Sequence, residues 1–158
     1  MTDQGFATGS NFTSDPDLVV SVSEDRQAFT AIASNMEVIV GQELPATIQA
    51  RLLLLAVPLE GDVIGGTEIA LRVSGNAFVT EGATGLAMIT LNGRATTEYL
   101  SPVLDNEFVY ELRVDGTGAS ECRVSVCLVA EREGNRPDAI SRFNVLSIDA
   151  EILRERPS

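Results

Sequence analysis

The chain predicts an all-β fold, an antiparallel β-sandwich of jelly-roll type with about ten strands and an extended N-terminal arm. Three observations predict it. Apolar residues alternate with polar ones along most of the sequence, turn signals interrupt that alternation roughly every 8 to 12 residues, and no stretch holds a convincing helical period.

Residues 1–17 are polar, carry Gly5, Gly9 and Pro16, and show no period, so they read as an arm. The Asn11-Phe12-Thr13 sequon within it is assigned to chance. Residues 18–23 (LVVSVS) form the first predicted strand, closed by the charged turn 24–27. Two short β-like runs follow at 29–33 and 36–40, parted by Ser34-Asn35 and ended by Gly41.

The run 48–59, IQARLLLLAVPL, begins by alternating and then turns apolar on both faces, as an interior strand covered from both sides does. A buried helix started by Pro45 is the rival, since leucine is a good helix former. The Val57-Pro58 ending and the period of two in the later segments decide for a strand.

After the loop 60–66, residues 67–73 alternate with Ile69, Leu71 and Val73 on one side. Ser74-Gly75-Asn76 reads as a turn, 77–80 as a short return and 81–85 as another loop. Residues 86–91 and 94–100 flank Asn92-Gly93, the dipeptide that most readily supplies the two positive φ angles of a type I′ hairpin. In 107–115 the set Phe108, Tyr110, Leu112 and Val114 faces inward. Residues 121–131 become apolar on both faces and predict a second interior strand. In the last strand, 140–153, the inward set passes from Phe143 and Val145 to Leu146, Ile148, Ala150 and Ile152, which implies a bulge. With no internal repeat and no linker, residues 18–153 make one sandwich domain and 154–158 a tail.

The 158 residues are 44% hydrophobic, and no apolar run approaches the length of a membrane span. Net charge is −12, and all eleven basic residues are Arg. Nucleic acid and anionic membranes are therefore disfavoured partners, because both are held by basic contacts. The amino terminus shows no basic leader or apolar h-region, so synthesis in a cytoplasm without a signal peptide is expected. Cys122 and Cys127 are five apart on one predicted strand and point to opposite faces. They read as two buried free thiols suited to a reducing compartment.

The chain has no His and no Lys. Nucleophile–imidazole pairs and lysine Schiff bases are thereby excluded, and two thiols on opposite faces cannot share a tetrahedral zinc site. Carboxylate chemistry remains, with Asp149/Glu151 and Glu107/Glu111 as the same-face pairs, but Arg142, Arg154 and Arg113 nearby favour a solvated, ion-paired face. Without Trp, and with Tyr110 on an inward set, only Tyr99 is available to stack on a sugar. Calcium would draw on Glu60 and Asp62, Asp15 and Asp17, or Asp105 and Glu107, none in the spaced acidic-loop pattern. The glycine-rich loops lack the Lys-Ser/Thr ending of a phosphate loop.

No catalytic, cofactor-binding or metal-binding residues are assigned on this reading, and no cofactor is expected. What is left is a structural, non-enzymatic role carried by surfaces and strand edges. Its concrete form is a virion accessory subunit, a decoration or cement protein of a bacterial-virus capsid. The expected partners are subunits of that assembly, the major capsid protein among them, and further copies of itself, for example as a trimer. The alternatives are a secreted or surface sandwich that binds glycan or calcium, and a carboxylate-only glycoside hydrolase.

Overall fold

A tight turn at Asn92-Gly93 organises the whole chain. Asn92 has φ 48° and Gly93 φ 87°, the positive pair that matches a hairpin turn to the twist of its strands. β6 (Ala83–Leu91) and β7 (Arg94–Leu100) leave it as an antiparallel pair. Further out, β5 (Thr67–Val79) pairs with β8 (Val103–Asp115), β4 (Ile48–Glu60) with β9 (Glu121–Arg132), and β3 (Ala28–Val40) with β10 (Ser141–Arg154). Partners stand at nearly equal distances along the chain from the turn, so these strands are one long hairpin. Rolled up, it brings β10 beside β5 and β9 beside β6. The result is two antiparallel sheets, one ordered β3-β10-β5-β8 and the other β4-β9-β6-β7, the arrangement of a jelly roll. β2 (Leu18–Val22) extends the first sheet beside β3, and β1 (Gly5–Phe6) extends the second beside β4.

The computed structural model describes residues 4–8, 12–13, 17–41, 44–61, 67–100 and 103–154, with the backbone alone at 96–100 and 103–106. Ten strands and no helix occur among them. The two inner faces meet in one core: Leu53, Leu55 and Val57 of β4 and Val124, Val126 and Leu128 of β9 lie opposite Phe29, Val38, Ile69, Leu71, Phe143 and Ile148. Each residue comes from the inward half of an alternating strand, which is why the period of two was visible in the sequence.

The structure corrects the local reading at several places. The runs 29–33 and 36–40 are one strand, β3, and Ser34-Asn35 is not a turn. Its register against β10 jumps from Met36–Val145 to Ile32–Ser147, so residues 33–35 sit opposite Leu146 in a bulge. The two polar residues face Asp17 there: Ser34 donates its backbone N–H to the Asp17 carbonyl at 3.1 Å. The bulge expected in the last strand is present, but Leu146 is its outward residue, and the inward set resumes at Ile148. Residues 67–79 likewise form one strand through Ser74-Gly75-Asn76, whose Gly75 lies between Val145 of β10 and Phe108 of β8. Glycine is needed for close approach rather than for turning: a Cβ there would stand 1.9 Å from the Asn144 carbonyl oxygen and 2.7 Å from the Phe108 ring.

The arm expected at 1–17 is docked on the sandwich wherever it is described. Phe6 is fully buried and meets Phe29 edge to face, with ring centroids 4.8 Å apart. Ala7 donates its N–H to the Pro58 carbonyl, Ala56 donates to the Phe12 carbonyl, and the Thr13 hydroxyl donates to the Leu54 carbonyl at 2.6 Å. Arg154 closes the other side with a 2.6 Å hydrogen bond to the Gln4 carbonyl. The tail at 155–158 and the sequon's Asn11 lie outside the described residues.

Two substitutions measure these points by denaturant unfolding. Gly75→Ala, which forces backbone against backbone, is expected to cost about 3 kcal/mol. Phe6→Ala is expected to cost about 3 to 5 kcal/mol, whereas a loosely attached arm would make it neutral.

Candidate interaction surface

The two outer faces of the sandwich differ in chemistry. On the β10 sheet, one rung across the strands reads Thr30, Asp149, Arg72, Glu111. The Thr30 hydroxyl donates to Asp149 Oδ1 at 2.7 Å, and Arg72 Nε lies 3.9 Å from Glu111 Oε1. Arg113 pairs with Glu68 at 4.0 Å and Arg142 with Glu37 at 3.4 Å. Such exposed pairs contribute little stability each, and they share the face with the exposed side chains of Val19, Ile32, Val109 and Leu146.

The β9 sheet has a different outer face. Its central rungs read Ala50, Val129, Leu86 and then Leu52, Cys127, Met88, with no charged group among them. Leu54 continues the stripe beside Ser125 and Thr90, whose hydroxyls bond to each other, and charge returns at Glu131 beside Ile48 and Arg123 beside Ala56. Leu52 is 58% exposed, Ile48 and Leu54 54% each, and Met88 39%. A contiguous apolar patch bounded by polar residues marks an interaction site on a folded protein.

This is also where the interior reading of residues 48–59 is corrected. β4 buries Leu53, Leu55 and Val57 and leaves Leu52 and Leu54 in the open, so the leucine run is covered on one face only. β4 lies next to the short β1 at the rim of its sheet, not deep inside it. Pro58 carried that signal, since a residue without an N–H cannot donate to a ladder and is found at or near the rim of a sheet. β9 is interior in the sheet, as expected, between β4 and β6, with its outward Cys127 and Val129 half-buried.

The predicted carboxylate pairs fall on the charged face. Asp149 and Glu151 share it with Glu111, and they border a shallow, open depression of about 360 Å³ that also touches Arg72 and Arg113. Arg72, not named as a neighbour from the sequence, separates Asp149 from Glu111 on the rung. A row alternating carboxylate and guanidinium on an open sheet holds no pair of acids facing each other across a cleft.

Of the acids weighed for calcium, Glu60 is 3.1 Å from Arg26, Asp17 accepts a 3.5 Å hydrogen bond from Asn35, and Glu107 is exposed on β8. Asp15, Asp62 and the Asp105 side chain lie outside the described residues. Among the described residues no group of three His, Cys, Asp or Glu side chains is placed to hold a metal ion. Tyr110 stacks on Phe108 with centroids 5.1 Å apart and is half-buried, and the Tyr99 side chain is outside the described residues.

The cysteines are free and on opposite faces. Cys122 is buried, and desolvation, helped by the charge of Glu121, pushes its thiol up to about 12. Cys127 differs from the expectation of two buried thiols in lying half-exposed within the apolar stripe.

No protein-family model matches the chain, and no curated protein matches it. Among solved structures it is similar to TmCBM61 in complex with β-1,4-galactotriose, with a TM-score of 0.40 and 9% identity over 96% of this chain and 88% of that one. It is also similar to the structure of infectious bursal disease virus Gx strain, with a TM-score of 0.48 and 12% identity over 81% of this chain but only 32% of the viral chain. A third is Broad Bean Stain Virus, with a TM-score of 0.42 and 8% identity over 79% of this chain and 92% of that one. Likenesses this distant carry nothing about function.

Alkylation followed by mass spectrometry tests the placement of the thiols. In the native protein near about pH 8, Cys127 is expected to take one label while Cys122 stays unmodified until the protein is unfolded.

Proposed function

We propose that this protein is a non-enzymatic assembly subunit that docks on neighbouring protein through the outer face of its β9 sheet. The observation that supports this reading is the uncharged centre of the β9 sheet's outer face, an apolar stripe from Ile48 to Met88, whereas on the β10 sheet the exposed Val19, Ile32, Val109 and Leu146 share the face with three ion pairs. Burying such side chains contributes about 25 cal/mol per Å² of apolar surface, and an uncharged centre with a polar rim is the anatomy of a protein–protein contact. In a chain of net charge −12, a run of adjacent rungs without a charged group is where contact with another protein costs least desolvation of charge.

Its concrete form, on our reading, is a virion accessory subunit, a decoration or cement protein on the capsid of a bacterial virus. Its partner would be the major capsid protein. That role needs a stable scaffold and an adhesive face and needs no general base, which suits a chain without His or Lys.

The test is co-sedimentation of the purified protein with particles of its host virus. Met88→Glu and Leu54→Glu, which place a carboxylate in the stripe at exposed positions, are expected to weaken binding at least about tenfold with the thermal midpoint changed little. Asp149→Asn on the opposite face is expected to leave binding unchanged. Full binding by both stripe variants, or none by the wild type, would remove this reading.

A further inference from the structure

Among the described residues, half of one strand edge has no backbone partner. In β4 the even-numbered residues turn their backbone groups away from β9: the Leu54 carbonyl meets the Thr13 hydroxyl, the Ala56 N–H meets the Phe12 carbonyl, and the Pro58 carbonyl meets the Ala7 N–H. The N-terminal segment therefore covers the edge from Leu54 onward. Below it, among the described residues, the outward N–H and C=O groups of Ala50 and Leu52 have no partner.

The two outermost strands of the β10 sheet are protected in the usual ways. β8 carries Glu107, Glu111, Arg113 and Asp115, and β2 is five residues long. The bare half of β4 has no acid, no proline and no bulge.

We infer that this edge pairs with the same edge of a second copy, forming a two-fold dimer in which the β9 sheets of both copies join through β4, centred on Ala50. The sequence of this segment, Ile48-Gln49-Ala50-Arg51-Leu52, is symmetric in pattern about Ala50, with a polar residue and then an aliphatic one on each side. In an antiparallel pairing on that centre Ile48 lies opposite Leu52 of the second copy, and Gln49 lies opposite Arg51 of the second copy. Arg51 does not meet Arg51, and no carboxylate of the segment meets another in a chain that is otherwise strongly acidic. Ala50 and Leu52 of each copy satisfy their free groups, and the two apolar stripes run on across the junction. An isologous contact demands this self-complementarity, which an unrelated strand would match only by coincidence. β4 begins at Ile48, which in this pairing lies opposite Leu52 of the second copy, two residues short of the Leu54 carbonyl held by Thr13. The operation is two-fold, in place of the three-fold considered from the sequence.

The dimer does not depend on the assembly reading. Its edge contact leaves Met88 free, and each can fail alone.

Sedimentation equilibrium of the full chain over a roughly hundredfold concentration range is expected to show monomer and dimer. Ala50→Pro removes the central outward donor without touching the ladder to β9, and is expected to raise the dissociation constant about tenfold or more with the circular dichroism spectrum unchanged. In a Cys127→Ser background, Ala50→Cys brings two thiols together on the two-fold axis, where Cα atoms about 5.5 Å apart suit a disulfide, and is expected to yield a covalent dimer on mild oxidation. Leu54→Cys in the same background is expected not to. A wild-type chain that stays monomeric throughout overturns the inference. So does a dimer whose Ala50→Cys variant fails to cross-link, even if the proline variant does not fold.

Discussion

Antiparallel register, propagated from a single turn, is the constraint on which the rest of this structure depends. Because side chains alternate along a strand, a slip of one residue in any pairing would turn an entire inner set outward. From Leu91–Arg94 at the turn to Ala28–Glu151 at the far end, the long hairpin keeps its register within a few residues, and each irregularity is local. The main bulge, between Val145 and Ser147, recurs in the pairing of β10 with both β3 and β5, so one displacement is absorbed on both sides of the central strand. The apolar face of the β9 sheet is thus no register error. Inner Leu53, Leu55 and Val57 are fully packed while outer Leu52 and Leu54 project from the same strand.

That register also explains why the two outer faces divide the chemistry so sharply. β10 and β5, at the centre of one sheet, contribute Arg142 and Arg72 outward, which find opposite charges on β3 and β8, and Asp149, which accepts from the Thr30 hydroxyl of β3. β9 and β4 contribute Val129, Cys127, Ala50 and Leu52 outward, and these find one another. Ion pairs cross the strands of one sheet, and aliphatic neighbours fill the centre of the other. A uniformly solvated sandwich would have ion pairs on both.

The amino-terminal segment has a part in the same division. By adding β1 and the Phe12–Thr13 backbone to β4, it occupies half of an edge that would otherwise run the length of the strand. Burial of Phe6 against Phe29 anchors it there, so edge cover and core packing come from the same few residues. Among the described residues, the unpaired remainder of the edge adjoins the apolar stripe.

By itself the sequence determined the class of fold, the hairpin at Asn92-Gly93, the inward sets of β5, β8 and most of β10, the opposite orientations of the two cysteines and the absence of imidazole and amine chemistry. All of these follow from alternation, turn stereochemistry or composition, which are local properties. What only the tertiary structure decided was cover. Leucines on both faces of β4 read as an interior strand, but whether a second layer lies over a given face depends on which strands come to lie beside it. Gly75 read as a turn because local patterning cannot distinguish a glycine that bends the chain from one that lets Asn144 and Phe108 approach. The polar segment at 4–8 read as an arm because Phe6 was one aromatic in an aperiodic stretch, and only a long-range contact with Phe29 made it core. Contacts between residues far apart in the chain, which no period or dipeptide encodes, turned an expected interior strand into an exposed face.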